Sequence, residues 1–353
     1  MDILNVGFIG AGRISDLHAL EYLANERARI VAVCDIDPQL AQSRGARWGV
    51  APDHIFTDYR DLLALPDVDL VEILLPHHLH RQATLDAAAA GKHVSLQKPM
   101  ALSVAEADEM IAAARQAGVI FKVFENFIFY PPVQRAKALI EAGEIGDPLT
   151  IRIKSNSGTS PTMWDVPHAA WAWRFSPEEC GGGPLVFDDG HHKFSLAWFF
   201  MGLAEEVHAW IGATEIAPGF VLDSPGIISW KFSNNRYGSL EVVNSPELVL
   251  DTQHYAQDDR IEITGTKGVL WITRGHGKMM DVPPVVLYRD RKVYAHSDMP
   301  VGWEHSFINS TRHFIDAYFA GEPPSLTAWE GREILRFALA AQESARAGHA
   351  VRL

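Results

Sequence analysis

Hydrophobic and polar positions alternate in two regimes along the chain. From Ile3 to Phe124, short apolar runs are separated by stretches of helical periodicity. Ile3–Ile9, Ile30–Cys34, Asp69–Leu75, His93–Leu96 and Val119–Phe124 read as strands. Helices are predicted at Pro38–Trp48, Tyr59–Leu65, Leu79–Ala90 and Ser103–Ala117, with another after a glycine turn at residues 10–15. Pro38 suits a first helical turn, and Gly91 and Gly118 suit C-caps. Such alternation with short connections predicts an N-terminal doubly wound parallel sheet of the Rossmann type.

After about Glu125 the pattern changes. A helix is predicted from Pro132 to Glu141, and strand patterns then follow one another at Thr150–Lys154, Glu206–Ile211, Gly226–Phe232, Gly238–Asn244, Arg260–Thr264 and Val269–Thr273. Val285–Tyr288 and Lys292–Ala295 flank Arg289-Asp290-Arg291 as a hairpin. This predicts an α+β domain with a largely antiparallel open sheet, polar along one face. Helices at Glu304–Ala320 and Ala328–Ala347 close the chain. Residues 1–125 are expected to form a nucleotide-binding domain. Residues 126–353 are expected to form a substrate-binding and oligomerisation domain.

At 353 residues, two domains are expected. Lys plus Arg is 31 against 44 Asp plus Glu, a formal charge of −13. That balance argues against nucleic acid or an anionic membrane as a partner. Cys34 and Cys180 share no metal or redox spacing, so both are expected to be free thiols in a reducing compartment. No basic segment precedes an apolar stretch, and no apolar run is long enough to span a bilayer. A cytoplasmic protein is expected.

The first strand runs into Gly10-Ala11-Gly12-Arg13-Ile14-Ser15, and the second ends at Asp35-Ile36-Asp37. Strand, glycine turn, helix, strand and acid in that order suit a dinucleotide. Gly10 permits the tight turn, Gly12 lets backbone approach a pyrophosphate, and Arg13 and Ile14 lead into the helix N-terminus that faces it. Ser15 takes the third-glycine place. Asp35 is placed to accept from the adenosine ribose hydroxyls and would repel a 2′-phosphate. NAD is therefore favoured over NADP.

Three further segments narrow the chemistry. Leu75-Pro76-His77-His78-Leu79-His80 follows one strand, Gln97-Lys98-Pro99 follows the next, and Asp188-Asp189-Gly190-His191-His192 opens an apolar helix. With the glycine turn, and with Gly143-Glu144-Ile145-Gly146, Trp173-Arg174, Gly181-Gly182-Gly183 and residues 261–268, the chain resembles the glucose–fructose oxidoreductase / inositol dehydrogenase family, Gfo/Idh/MocA. The resemblance covers essentially the whole chain. It implies NAD(P)-dependent hydride transfer at a carbinol carbon, most often of a sugar or cyclitol. It places nicotinamide against the family's Glu-Lys-Pro motif, here Gln97-Lys98-Pro99, with Pro76 and His80 also on the cofactor side. It implies a catalytic Asp-x-x-x-His pair at Asp188 and His192, and a homodimer or homotetramer paired through the open sheet.

The residue chemistry agrees with that expectation. A neutral imidazole can take a hydroxyl proton near neutral pH, the role expected of His192. The Lys98 ammonium suits stabilisation of a developing alkoxide. Asp188 and His192 would share a helix face, so Asp188 could hold Lys98 charged or orient the imidazole. His191 could reach a substrate hydroxyl or point to the other side of the helix. His77, His78 and His80 lack acidic or cysteine partners at ligand spacing, so no metal is expected.

Two positions depart from the family pattern. Gln97 replaces the motif glutamate. Asn126-Phe127-Ile128-Phe129-Tyr130 stands where many members carry arginine, which favours a neutral sugar or polyol over a sugar acid. Trp164, Trp171, Trp173, His168 and Arg174 lie in one loop that could cover a sugar or pack a domain junction, and Trp164, Asn126 and Arg174 are the substrate contacts expected from this region. The leading expectation is an NAD-dependent dehydrogenase oxidising a small neutral aldose, possible pentoses included, or a polyol. The alternatives are an NAD-retaining glycosidase-type enzyme and a non-catalytic NAD- and sugar-sensing protein.

Overall fold

The computed structural model describes residues 3–167 and 170–353, so His168 lies outside the described residues. The chain forms two compact units. The first comprises Met1–Asn126, Glu178–Gly181 and Phe307–Leu335, and the second Phe127–Pro177, Gly182–Ser306 and Arg336–Leu353.

The first unit begins β1 (Leu4–Ile9), α1 (Ser15–Ala24), β2 (Ala28–Cys34), α2 (Pro38–Trp48), β3 (Ile55–Phe56) and α3 (Tyr59–Leu63). It continues β4 (Leu70–Ile73), α4 (His77–Ala89), β5 (His93–Gln97), α5 (Val104–Ala117) and β6 (Phe121–Phe124). The six strands pair in parallel in the order β3-β2-β1-β4-β5-β6. This is the doubly wound sheet that the alternation predicts. Every residue of β4 is buried, as helices on both faces require. The order reverses between β1 and β4, and ligands of such sheets bind outside the strand C-termini at that reversal.

In the second unit α6 (Pro131–Glu141) and β7 (Pro148–Thr159) come first, with α7 (Pro177–Cys180) falling at a unit boundary. A π-helical turn at Pro184–Asp189 leads into α8 (Gly190–Met201). There follow β8 (Ala204–Ile211), β9 (Thr214–Ala217), β10 (Phe220–Leu222), β11 (Gly226–Phe232), β12 (Arg236–Val249), β13 (Gln257–Gly265), β14 (Gly268–Ile272), β15 (Val285–Arg289) and β16 (Lys292–His296). The chain ends with α9 (Glu304–Ala320), α10 (Ala328–Ala347) and β17 (Val351–Arg352). Nine strands form one sheet, antiparallel except where β12 runs parallel to β7. The turn between β15 and β16 holds Asp290 and Arg291 at positive φ, the pair that a two-residue type I′ hairpin needs.

One face of this sheet is core: Phe194 of α8, Trp230 of β11 and Phe337 of α10 pack with ring centroids 4.6–6.2 Å apart. The other is mixed: Lys154 Nζ lies 2.8 Å from Glu241 Oε1 and the Trp271 indole donates to Glu262 at 2.7 Å, while Trp210 and Ile227 are exposed.

A single division at residue 125 does not describe the compact units. Phe314 and Ile315 of α9 are buried with Leu4, Val6 and Phe8 of β1, Ile30 and Val33 of β2 and Leu70 of β4. The apolar stripe of α9 thus completes the core of the first unit, and burial rather than chain order assigns it there. Among the described residues no helix is long and apolar enough to cross a membrane.

Candidate active site

The glycine turn is built by close approach. Gly10 has φ +98°, and a Cβ there would fall 2.4 Å from the Leu74 carbonyl oxygen, so the position excludes other residues. At Gly12 a Cβ would meet no atom of the chain within 4 Å. The backbone at Gly12 is therefore open, which is compatible with the approach of a pyrophosphate. Ser15 is fully buried and its hydroxyl donates to the Gly12 carbonyl at 2.7 Å. Arg13 and Ile14 are half-buried, and no side chain caps the start of α1. Asp35 accepts from the Ala11 N–H at 2.7 Å and from the Asp37 N–H at 2.9 Å, one on each oxygen. Each oxygen keeps a second lone pair for a ribose hydroxyl. These residues fit an NAD dinucleotide. Asp35 also ties the glycine turn to the end of β2, which sequence spacing does not reveal.

Two loops follow β4 and β5. Pro76 precedes α4, His77 and His80 are buried on it, and His78 is exposed. His77 Nδ1 is 2.8 Å from the Cys180 carbonyl oxygen. His80 Nδ1 lies 2.9 Å from the Pro99 carbonyl oxygen and Nε2 2.8 Å from that of Leu75. The ring thus contacts the loops after β4 and β5 and, in its neutral form, donates to one of the two carbonyls. Burial, with His77 adding to it, pushes the His80 imidazole down to about 3 against the pull of the two carbonyls. Lys98 is 8% exposed, and its backbone N–H donates to Gln97 Oε1 at 2.8 Å. Asn126 is buried at the end of this unit.

On the second unit, Asp188 belongs to the π-helical turn rather than to α8. Asp223, a residue that sequence reading missed, accepts from the Leu185 and Val186 N–H groups at 2.7 Å each. The Asp188 N–H reaches back five residues to the Gly183 carbonyl at 3.1 Å. Asp188 thus precedes α8 in a wider turn, and α-helical spacing alone does not set its position relative to His192. Burial pushes the Asp223 carboxyl up, against the pull of those backbone donors.

Arg174 Nε donates to Asp188 Oδ2 at 2.7 Å, and its guanidinium lies over the Trp173 ring. His192, in the first turn of α8 and 8% exposed, stacks on Phe127 with centroids 4.4 Å apart. His191 is fully buried. Trp164 packs edge-on to His254 and Tyr255, at 5.0 and 5.4 Å. Trp171 instead packs against Phe175 and Phe220.

Lys193, the residue after His192, is the centre of an ionic cluster. Lys193 Nζ is fully buried, 2.7 Å from Asp189 Oδ2 and 3.4 Å from Asp259 Oδ2. Gln257 Nε2 donates to Asp189 at 2.7 Å and to Ser155 at 2.9 Å. Burial works against the Lys193 charge, but the two carboxylates outweigh it and hold its pKa above the ordinary lysine value. Among the described residues no group of three or more His, Cys, Asp or Glu could hold a metal ion. Both cysteines are buried free thiols.

Residues 4–125 match the oxidoreductase family with NAD-binding Rossmann fold, Gfo/Idh/MocA, and residues 133–271 match the Gfo/Idh/MocA C-terminal domain. The chain is 30% identical to the uncharacterized oxidoreductase YrbE of Bacillus subtilis (strain 168), over 96% of this chain and 93% of that protein. It is 26% identical to myo-inositol 2-dehydrogenase of Thermotoga maritima, over 99% and 98%. Its fold matches that of an NAD-binding oxidoreductase from Klebsiella pneumoniae with a TM-score of 0.81, at 25% identity over 99% and 98% of the two chains. The chain belongs to the Gfo/Idh/MocA family of NAD-dependent oxidoreductases.

Proposed function

We propose that this enzyme oxidises one carbinol of a small neutral sugar, an aldose to its lactone with pentoses included, or of a related polyol. His192 accepts the hydroxyl proton, Lys98 stabilises the developing alkoxide, and Asp188 positions them. The observation that carries the reading is the His192 imidazole, held by its stack on Phe127 in the first turn of α8, with the nearby Asp188 carboxylate anchored separately by Arg174. Bound NAD supplies the hydride acceptor at nicotinamide. Gly10, Gly12, Arg13, Ile14 and Asp35 hold the dinucleotide, with Pro76, His80, Gln97 and Lys98 on the nicotinamide side. Asn126, Trp164, Arg174 and His191 contact substrate. An Arg174 charge matched by Asp188 favours a neutral substrate over a sugar acid. The likeness to an inositol dehydrogenase supports the polyol class.

The enzyme is cytoplasmic and a homodimer or homotetramer in this reading. Trp210 and Ile227, 62% and 52% exposed on neighbouring strands, support pairing through the outer sheet. The test of function is a panel of neutral sugars and polyols with NAD, following NADH absorbance and identifying products. NADH is expected to accumulate in step with lactone or ketone. Free monosaccharide without NADH, as in an NAD-recycling glycosidase, overturns the reading. So does cofactor binding without turnover across the panel, as in a sensing protein.

A further inference from the structure

Glutamine stands at position 97 where the family motif has glutamate, and the hydrogen bonds around it show what the exchange does. Gln97 Nε2 lies 3.0 Å from His18 Nε2, and Gln97 Oε1 accepts from the Lys98 N–H at 2.8 Å. His18 Nδ1 is 2.8 Å from Glu72 Oε1. Ser95 Oγ donates to that oxygen at 3.0 Å, and Tyr22 OH donates to Oε2 at 2.9 Å. His18 and Glu72 are fully buried, and Ser95 and Tyr22 are each 1% exposed.

These contacts assign every proton. A Gln97 amide turned the other way would set its NH2 against the Lys98 N–H, so the nitrogen faces His18. An amide nitrogen can only donate, so His18 Nε2 is the lone-pair acceptor. Nδ1 then carries the ring proton and donates to Glu72. The chain of bonds closes with a neutral imidazole. A glutamate at 97 would set a carboxylate oxygen against that lone pair. The contact would form only with one more proton, giving an imidazolium between two carboxylates.

The groups facing this chain come from several elements. Tyr22 is on α1 beside His18, Glu72 is on β4 and Ser95 on β5. Lys122 on β6 is fully buried, interacts electrostatically with Glu72, and donates to Ser310 of α9. The Phe124 and Phe307 rings close over the imidazole, with centroids 3.9 and 5.2 Å away. One buried cation thus faces one buried carboxylate, with two neutral side chains between Glu72 and the Lys98 backbone.

We propose that Gln97 is a positioning residue: through the neutral chain Glu72–His18–Gln97 it holds the Lys98 backbone in a way that requires no proton uptake, whereas glutamate at 97 would make the same hold depend on a proton. Its consequence for turnover rests on the role given to Lys98 in the proposed reaction. The arrangement itself does not depend on that role.

The test compares the full-length chain with Gln97→Glu by NMR of 15N-labelled histidine side chains, the His18 signals being assigned by their loss in His18→Gln. In the unsubstituted protein His18 is expected as the neutral Nδ1-protonated tautomer near neutral pH, and in Gln97→Glu as the doubly protonated ring. Thermal unfolding supplies a second readout. The variant's folded state holds a proton that its unfolded chain releases, so this contact's contribution to stability is complete at low pH and lost as pH rises. Its Tm deficit relative to the unsubstituted protein is expected to widen by ~2–4 °C or more between about pH 6 and about pH 9. A charged or Nε2-protonated His18 in the unsubstituted protein overturns the proposal. A Gln97→Glu spectrum and Tm deficit that do not respond to the substitution or to pH overturn it too. If Gln97→Glu does not fold, the tautomer in the unsubstituted protein decides alone. Absence of turnover on sugars would overturn the proposed function and leave these readouts intact.

Discussion

Arg174 Nε donates to Asp188 Oδ2 at 2.7 Å, tying the tryptophan loop after β7 to the π-helical turn that leads into α8. The Asp188 side chain is 8% exposed and that of Arg174 33%, so water screens the pair only in part. A shielded carboxylate stripped of its cation must move or take up a proton.

Arg174→Met is therefore expected to lower kcat/KM by ~10-fold or more through misplacement of Asp188. Arg174→Lys should recover part of the loss. Steady-state kinetics on the best panel substrate make the check. Unchanged parameters in Arg174→Met would show that Asp188 is held without the guanidinium.

Asp35 serves two ends at once, the glycine turn through Ala11 and, in our reading, the adenosine ribose. Asp35→Ala should weaken NAD binding by ~10-fold or more and narrow the preference for NAD over NADP. Titration of both cofactors by calorimetry measures this. A preserved NAD-to-NADP ratio would remove the ribose contact from the account.

His80 makes stability sensitive to acid. Its folded-state pKa is pushed from 6.5 to about 3, so below pH 6.5 the unfolded chain binds the proton more readily. Its contribution is complete above that value and falls away as pH drops toward 3. His80→Leu removes the single N–H that the neutral imidazole gives to one of the Leu75 and Pro99 carbonyls and should cost about 1–3 kcal/mol at neutral pH. The gap to the unsubstituted protein should shrink on acidification. Chemical denaturation across that range tests it, and a constant gap would contradict the burial argument.

Lys193 pairs with two carboxylates inside the second unit. Lys193→Met strands Asp189 and Asp259 and should destabilise by about 3–5 kcal/mol. Lys193→Met combined with Asp259→Asn should cost less than the sum of the two single changes. Additive losses would mean the three groups are not coupled.

The strand and helix order of the first unit is legible because its signals are local: apolar runs, caps at Gly91 and Gly118, and a glycine turn followed by Asp35. What could not be read depends on partners far away in sequence. Phe314 and Ile315 fill the core around β1, and nothing in the local pattern of α9 says so. Gln97 meets His18 across 79 residues, so nothing in the local sequence accounts for glutamine at that position. The Asp188–His192 spacing reads as one helix face, yet Asp188 falls in a π-helical turn ahead of α8 whose first N–H groups Asp223 caps from across the chain. His191, Trp164 and Asn126 keep their substrate roles as proposals, to be decided by kinetics.

The most direct test of the central claim is the rate of NADH formation by His192→Ala, measured under saturating NAD on the substrate that the panel identifies. Removing a proton-accepting imidazole should cost roughly 10²–10⁴ in kcat while NAD binding is retained. A loss of less than about tenfold with intact folding would contradict the assignment of His192 as the base.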